Sequence, residues 1–417
     1  AGAGIAGGVL TASAAGAMTL DTAVDSIDAT TSAAGNITIT EADAVTLTSV
    51  ASNDGAISVT AGNAITATSV SSANTDGDTN DISIEATAGN IEVDTITTGG
   101  TAGDVSLTAN TAGGQAIVDA DANSSITADD LSIDANGGIG SITTFPASPG
   151  WAAAGTAIGT DVNTLVSVAA NEAGSEIYLS EANALTIAGG GLTVGGANAA
   201  QAIIEAGGNI DAGAAGSVAL SSGDDLSLDS SGTLTIPDAG LDTGTGDLVL
   251  TGTADAVDDS ATRTLVLAAA DLYLDSGNGG GNISLTTTVT NLDAAIGAND
   301  LTVNEADGIT LRDVAATSGL IDVNAGGAVT ATLVDSSSTA GDTNDITIDG
   351  TTIDVVQVLG GAGQANDVTL NATAGAITDS SGGSTGITGD VLTSDAAGAM
   401  TLDTAVTRVD AAASAAG

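Results

Sequence analysis

One eight-residue segment of this chain carries enough closely spaced oxygen atoms to bind a metal ion. It reads Asn-Thr-Asp-Gly-Asp-Thr-Asn-Asp over residues 74–81. Calcium is bound by carboxylate, amide and carbonyl oxygens, and a glycine allows the sharp turn that calcium loops need. The segment therefore predicts a calcium site. Its predicted ligands are Asp76, Asp78, Asn80 and Asp81.

A second copy of this segment favours a different interpretation. Residues 338–345 keep Gly-Asp-Thr-Asn-Asp, but Ala340 replaces Asp76, and no glutamate follows at the EF-hand spacing. The alternative is a turn in which Asp and Asn side chains bond their own backbone. Residues 118–123 are a second candidate loop, and diffuse binding of Ca²⁺ or other cations by stacked carboxylates is a third interpretation. No cofactor is otherwise required.

Three glutamates recur at equivalent positions, each two residues before an Asp or Asn: Glu41, Glu181 and Glu305. Paired carboxylates can perform acid–base catalysis. Their repetition instead favours a structural corner at which each carboxylate bonds free backbone amides. The chain has no His, Lys or Cys, and its three arginines are far apart in the sequence. We therefore expect no catalytic residues and no enzymatic activity.

The charge balance limits the partners of the chain. There are 52 Asp and Glu residues against 3 Lys and Arg, a net charge of −49. Nucleic acid is excluded because nothing neutralises its phosphates. No run of 18 apolar residues could span a membrane as a helix. Cations, basic proteins or a salty medium are the expected counterparts.

Short stretches in which apolar and polar residues alternate recur along the chain, as at 36–39 and 81–84, each followed by a second apolar stretch. A period of two predicts strands, and the intervening Gly, Asn, Asp and Ser predict turns. Aromatic residues make up only 1% of the chain, too few for an ordinary globular core. The pattern predicts an all-β fold, a right-handed parallel β-helix (β-solenoid) with about 20 residues per coil.

The chain also repeats over longer distances. Residues 36–84 recur at 300–348, and residues 8–35 recur at 390–417. Such repetition indicates one structural unit stacked many times. We divide one continuous solenoid into the end of a preceding repeat unit and three further units: 1–35, 36–175, 176–299 and 300–417.

Residues 139–162 interrupt the repeat and contain two of the three prolines and two of the four aromatic residues. We interpret them as a loop inserted into one coil. Phe145 and Trp151 are its candidate partner contacts. The alternative is that both side chains fold back and cover the side of the solenoid.

The segments Φ-x-Φ-x-Glu-Ala-Asp/Asn-x-Φ-Thr-Φ occupy residues 37–47, 177–187 and 301–311. The first of them is preceded by Leu-Asp-Thr-Ala-Val at 20–24, a pentapeptide that recurs at 402–406. In these features the chain resembles the β-helical repeat regions of large secreted bacterial surface proteins, the filamentous-haemagglutinin-like adhesins and related giant β-strand-repeat proteins. The resemblance extends over nearly the whole chain. It implies export and an extracellular or cell-surface location.

Together these features predict a structural rod segment of an extracellular fibre, stalk or surface filament. It would continue covalently or by head-to-tail stacking, so its main partner is itself, through head-to-tail or lateral contacts. The alternative is an adhesin stalk that binds a cell surface or polysaccharide through residues 139–162 or a distal domain. A surface-layer or sheath component and an ice-binding solenoid are further alternatives.

Overall fold

The computed structural model describes residues 4–73, 78–99, 101–111, 113–146, 152–195, 199–237, 239–252, 265–277, 282–337, 344–361 and 365–414. These residues form an all-β parallel β-solenoid of about 15 turns with no helix, and successive coils lie roughly 22 residues apart. The predicted fold class is confirmed. Contacts divide the chain into unit 1 (Ala1–Phe145 and Ala152–Leu228) and unit 2 (Pro146–Trp151 and Asp229–Gly417).

The strands that begin in unit 1 are short, as expected of stacked coils. They are β1 (Ile5–Ala14), β2 (Met18–Thr31), β3 (Ile37–Glu41), β4 (Val45–Ala51), β5 (Ile57–Ala61), β6 (Ile65–Ser71), β7 (Ile82–Ala86), β8 (Ile91–Thr97), β9 (Val105–Ala109), β10 (Ile117–Asp119), β11 (Ser125–Ala135), β12 (Ser141–Thr144), β13 (Ala154–Thr156), β14 (Ile158–Ala170), β15 (Glu176–Glu181), β16 (Leu185–Ile187), β17 (Leu192–Val194), β18 (Gln201–Ala206), β19 (Ile210–Asp211), β20 (Val218–Ala219) and β21 (Asp225–Ser230).

The strands that begin in unit 2 follow the same pattern. They are β22 (Leu234–Thr235), β23 (Leu241–Asp242), β24 (Leu248–Gly252), β25 (Leu265–Gly277), β26 (Ile283–Ile296), β27 (Leu301–Glu305), β28 (Ile309–Ala316), β29 (Ile321–Ala325), β30 (Val329–Ala331), β31 (Val334–Asp335), β32 (Ile346–Gly350), β33 (Ile353–Val355), β34 (Val358–Leu359), β35 (Val368–Ala372), β36 (Ile377–Asp379), β37 (Ile387–Ala396) and β38 (Thr404–Ala413).

The core of unit 1 is a set of aliphatic columns. Partners in the parallel ladder place Ile37, Ile57, Ile82, Val105 and Leu131 one above another, and each is at most 1% exposed. Within one strand, inward and outward residues alternate as the period of two requires. Burying each such side chain contributes about 1.5–3 kcal/mol. The columns therefore supply the hydrophobic core that the missing aromatic residues would otherwise provide.

Coil length varies because the turns between strands differ. Ile37 and Ile57 are ladder partners 20 residues apart, whereas Ile57 and Ile82 are partners 25 residues apart. The additional residues lie between β6 and β7, in the stretch that contains the predicted calcium loop. Alternation of residues predicts the strands well, but it does not predict the length of the turns that connect them.

Buried hydroxyl groups form a second column at a corner of unit 1. Ser52 Oγ donates to Gly35 O over 3.1 Å, and Ser72 Oγ donates to Gly55 O over 2.8 Å. Thr98 Oγ1 repeats this contact with a glycine carbonyl in a later coil, over 2.7 Å. Buried backbone carbonyls need such donors, so the small polar residues satisfy the corner.

Unit 2 also contains an aliphatic column. Ile283, Leu301, Ile321, Ile346 and Val368 are successive ladder partners, and each is at most 2% exposed. None of the described segments forms a helix that could cross a membrane.

The insertion predicted at 139–162 is a β-hairpin inside unit 1. Strands β12 and β13 pair antiparallel, which none of the other described strand pairs does. Ile139 remains in the ladder, bridged to Ile117 and Ile177, and Ile158 pairs with Leu179. The excursion is therefore shorter than predicted, since both of its ends belong to coils.

Candidate functional site

Glu41 ends strand β3 with its side chain turned into the solenoid, where it is 2% exposed. Its Oε2 accepts a hydrogen bond from Val24 N over 3.1 Å, and its Oε1 accepts one from Asp43 N over 3.2 Å. Thr22 is its ladder partner on the preceding coil. The carboxylate therefore covers the backbone corner at 22–24 and joins two coils.

Glu181 repeats this arrangement later in unit 1. Its Oε2 accepts hydrogen bonds from Val162 N at 3.0 Å and Thr160 Oγ1 at 2.8 Å, and its Oε1 accepts one from Asn183 N at 2.9 Å. Thr160 is again the ladder partner of the glutamate.

Glu305 is the third example, in unit 2. Its Oε2 accepts from Val289 N at 3.0 Å and its Oε1 from Asp307 N at 3.1 Å, while Thr287 is its ladder partner. In all three cases a Thr-x-Val corner on one coil receives the glutamate of the next coil. Because both carboxylate oxygens accept backbone N–H groups, the geometry supports the structural-corner interpretation over acid–base chemistry.

The two glutamates of unit 1 lie in different columns. Partners of Glu41 continue through Ala61 on β5, whereas the column of Glu181 runs back through Thr160 and Ile126 towards the end of β8. The two copies of the motif in unit 1 therefore lie on different sides of the coil.

No family profile, curated protein or solved structure matches the chain.

The predicted calcium loop is only partly described. Asp76 lies outside the described residues. Asp78 is exposed, whereas Asn80 is fully buried and therefore faces away from a shared solvent-side site. Asp81 Oδ1 accepts a hydrogen bond from Asp104 N over 3.1 Å. Two of the three described candidates thus belong to the packing of the corner.

Asp81 begins a ladder of aspartates at this corner. Asp104 Oδ1 in turn accepts from Asp130 N over 3.3 Å. Burial, followed by the charges of Asp130 and Asp81, raises the pKa of Asp104 above its ordinary value. The stacked carboxylates therefore repel one another while each bonds the next coil. This geometry is what diffuse cation binding would use.

The second candidate loop, 118–123, folds onto its own carboxylate. Asp119 Oδ1 accepts from Asp121 N at 2.9 Å and Ala122 N at 2.8 Å, and its Oδ2 accepts from Ser124 N at 3.1 Å. Burial works to raise the pKa of Asp119, but these hydrogen bonds outweigh it and lower the pKa. Within the described residues, no three acidic, His or Cys side chains are grouped to hold a metal ion.

Phe145 folds back onto the coil. It packs, partly buried, against the cluster of Ile142, Tyr178 and Ile203. For this residue the structure agrees with the flank-covering alternative. Trp151, the other predicted contact, lies outside the described residues.

A polar cleft of about 330 Å³ lies beside the hairpin. Its lining includes Asp119, Ser124, Thr156 and Glu205, together with Tyr178, whose hydroxyl donates to Glu205 Oε1 over 3.1 Å. Carboxylates and hydroxyls can accept hydrogen bonds from a neutral polyhydroxyl ligand or an amine. The sequence analysis missed this cleft because Asp119, Thr156 and Glu205 are far apart in the chain.

A cluster of charged residues around Arg312 in unit 2 was also missed. Arg312 donates from Nη1 to Asp271 Oδ2 at 2.7 Å and from Nε to Asp293 Oδ2 at 2.7 Å. Its guanidinium carbon lies 5.1 Å from the ring centroid of Tyr273. Asp271, Asp293 and Arg312 come from β25, β26 and β28, so one side chain ties three coils together.

The surroundings of Arg312 shift the acidity of its neighbours. Burial would raise the pKa of Asp271, but hydrogen bonds from Asn291 and Arg312 lower it. For Asp293 burial prevails over the bonds from Arg312, and its pKa is raised. Burial also raises the pKa of Tyr273 to about 12. The cluster is a compact network of charged side chains that bonds three successive coils to one another.

Proposed function

We propose that this chain is a structural segment of an extracellular fibre, stalk or surface filament, which continues along the same polypeptide or by head-to-tail stacking. One observation carries the proposal. The polar side chains that could have performed chemistry bond one coil to the next, as Glu41 does with Val24 and Arg312 with Asp271. These hydrogen bonds hold successive coils of the solenoid together.

The mechanical role follows from the stacking. Each coil of a solenoid contacts only its neighbours, so stability accumulates coil by coil. Parallel ladders and aliphatic columns then transmit force along the stack. The surplus of acidic residues keeps the surface solvated and repels other copies laterally.

The location is proposed from the resemblance of the repeated Φ-x-Φ-x-Glu-Ala-Asp/Asn segments to secreted bacterial surface proteins. The partners proposed are other copies of the chain and, at the surface, the cell or its polysaccharide.

Electron microscopy of the purified chain and the intact mass of native material test this function. We expect elongated particles or polymers, and a native mass that identifies either a 39.1 kDa subunit or a longer polypeptide. Compact monomeric particles of short dimensions would contradict the proposal.

An adhesin role for the hairpin is the second candidate, favoured by the polar cleft beside it. Deleting residues 142–156 tests it, and E205Q separately tests the cleft while leaving the hairpin in place. Fibres that form normally but lose surface binding would establish the adhesin role. If the E205Q chain loses binding as well, the cleft rather than the hairpin tip makes the contact.

A further inference from the structure

The polar cleft beside the hairpin β12–β13 belongs entirely to unit 1. Residues of the segments 119–124 and 155–159 line it, together with outward-facing residues of strands β15 and β18. Ladder pairing places Gly159, Ser180 and Glu205 one above another on successive coils. Because the first two of these residues are small, the column leaves open space next to the carboxylate of Glu205.

Tyr178 fixes the position of that carboxylate. The alternation along β15 turns its side chain outward, yet Tyr178 is only 6% exposed because the hairpin covers it. Its ring packs with Ile142 and Ile203, and Phe145 packs against the same cluster. Its hydroxyl donates to Glu205 Oε1 over 3.1 Å. The buried ring therefore holds the glutamate in place before any ligand binds.

The charges in the cleft limit the kind of ligand that it can take. Two of its lining residues, Asp119 and Glu205, are acidic, and none of the described lining residues is basic. Burial works to raise the pKa of Asp119, but hydrogen bonds from residues 121–124 outweigh it and lower the pKa. This carboxyl therefore stays ionised at neutral pH. The cleft repels an anionic ligand and attracts a positively charged one.

A bare metal ion does not fit these residues. Calcium takes about six to eight oxygen ligands, whereas no three acidic, His or Cys side chains are grouped together in the described part of the chain. The cleft is also too large for an ion. Its volume of about 330 Å³ is many times the roughly 30 Å³ of one water molecule. The expected ligand is therefore an organic cation.

Uncharged polar residues complete the lining. Thr156 and Ser180 have hydroxyl groups, and Asn123 has a side-chain amide. Each of these groups can both donate and accept hydrogen bonds, which suits the hydroxyls of a ligand. A small ring that carries one ammonium group and several hydroxyls therefore matches the cleft better than an alkylammonium chain, whose methylene groups would face polar side chains.

We propose that this cleft binds an amino-sugar unit of a polysaccharide. The ammonium group of the sugar donates to the carboxylate of Glu205, and Asp119 adds a second negative charge. The ring hydroxyls bond Thr156 and Ser180. A charge-assisted bond to a carboxylate that is already held in place supplies most of the affinity. The proposal deepens the adhesin role, the second candidate function, and rests on it for the source of the sugar, a polysaccharide at a surface.

Titration of the full wild-type chain with D-glucosamine tests the proposal, by calorimetry and amide hydrogen exchange. A salt concentration of about 150 mM screens the diffuse attraction of the other carboxylates. We expect saturable binding at one site and slower exchange confined to the segments that line the cleft. N-acetylglucosamine lacks the charge and should bind at least about tenfold more weakly. Nα-acetyl-lysine amide keeps an ammonium group but lacks the ring hydroxyls, and should also bind at least about tenfold more weakly.

Variants locate the site. E205Q should weaken glucosamine binding at least about tenfold, because a neutral amide cannot form the charge-assisted bond. Y178F keeps the ring but removes the donor to Glu205, so the affinity should fall about threefold. E85Q is the matched control, since Glu85 lies on β7 of unit 1 and outside the cleft. The same charge change there should alter the affinity less than about twofold.

Equal affinities of the wild-type chain for glucosamine and N-acetylglucosamine, or for glucosamine and the lysine amide, would overturn the inference, and this comparison needs no variant to fold. Equal losses in E205Q and E85Q would overturn it as well, because binding would then be diffuse. If deletion of 142–156 abolishes surface binding while the wild-type chain does not bind glucosamine, the inference fails and the adhesin role remains. Glucosamine binding as expected, with surface binding intact after the deletion, supports the inference and removes the adhesin role.

Discussion

At the scale of single residues, buried glutamates accept hydrogen bonds from backbone N–H groups at the corners of the coils. A corner of a coil leaves backbone N–H groups without ladder partners, and an unbonded buried donor costs about 1–3 kcal/mol. Glu181 satisfies two backbone donors and one hydroxyl with a single side chain. The recurrence of the motif therefore has a structural explanation in the backbone donors that each glutamate bonds.

Replacing Glu181 with Ala should therefore destabilise unit 1 by about 3 kcal/mol, because three donors lose their acceptor inside the solenoid. E181Q should also destabilise, since its amide nitrogen would face N–H groups. Thermal unfolding by circular dichroism measures both. E92A is the control, because Glu92 makes its bond to Thr66 on the exposed surface. Similar melting temperatures for E181A and E92A would contradict the capping role.

Asp104 provides a prediction with a defined dependence on pH. Its pKa is raised in the folded state, so its ionised form weakens the fold, and stability increases as the pH falls through that raised pKa. D104N keeps an oxygen for Asp130 N and removes the repulsion. At pH 7 we expect D104N to melt at a higher temperature than the wild type. Its free energy of unfolding should exceed that of the wild type by less than about 1 kcal/mol.

The advantage of D104N should shrink near pH 3.5 and in 1 M salt, where the wild-type carboxylate is protonated or screened. D43N, with the same charge change at an exposed position, serves as the control. A D104N chain that is less stable than the wild type at pH 7 would show that the hydrogen bond requires the charge.

At the scale of elements, the period of two residues predicts strands reliably because each coil buries one side of each strand. This alternation alone predicts that Ile37, Ile57 and Ile82 point inward, where they form one column. The glutamate corner was also predictable, since its motif is contiguous with β3. Coil length was not, because a corner accepts extra residues without altering the ladder. For this reason the sequence did not predict that Glu181 and Glu41 lie in different columns.

Contacts between distant strands escaped sequence reasoning for the same reason. Arg312 meets Asp271 across two coils, and no local pattern reveals which residues two turns apart will face each other. The hairpin β12–β13 was predictable as an interruption of the repeat. Its antiparallel pairing and the cleft beside it depend on how residues 152–159 return to the ladder.

The Arg312 cluster yields a prediction for unit 2. R312A leaves Asp271 and Asp293 without their shared cation and should lower stability by about 1–2 kcal/mol. R312K should recover only part of the loss, because an ammonium cannot make both bonds and stack on Tyr273. Exchange of amides in β25, β26 and β28 localises the effect. R408A is the control, since Arg408 is mostly exposed. Full rescue by lysine would show that charge alone matters.

At the scale of the whole molecule, repulsion between carboxylates opposes the stacking of the coils. A net charge of −49 accompanies coils separated by about 4.8 Å, so neighbouring carboxylates lie within the range of mutual repulsion. Solvent-exposed charges are screened over about 10 Å at 0.1 M salt. Repulsion within the fold and between copies should therefore both fall as salt rises.

The melting temperature should accordingly increase from 10 mM to 500 mM NaCl, and particles should lengthen over the same range if copies stack.

Screening by an equal ionic strength of CaCl₂ distinguishes the two roles of cations. A diffuse atmosphere gives a modest further increase that is spread over both units, whereas a specific loop gives a saturable increase with amide protection near 78–81. Chelation at constant ionic strength should then reverse only that modest increase in the diffuse case and lower the melting temperature markedly in the specific case. A melting temperature independent of NaCl would show that hydrogen bonds from the corners already compensate the charge.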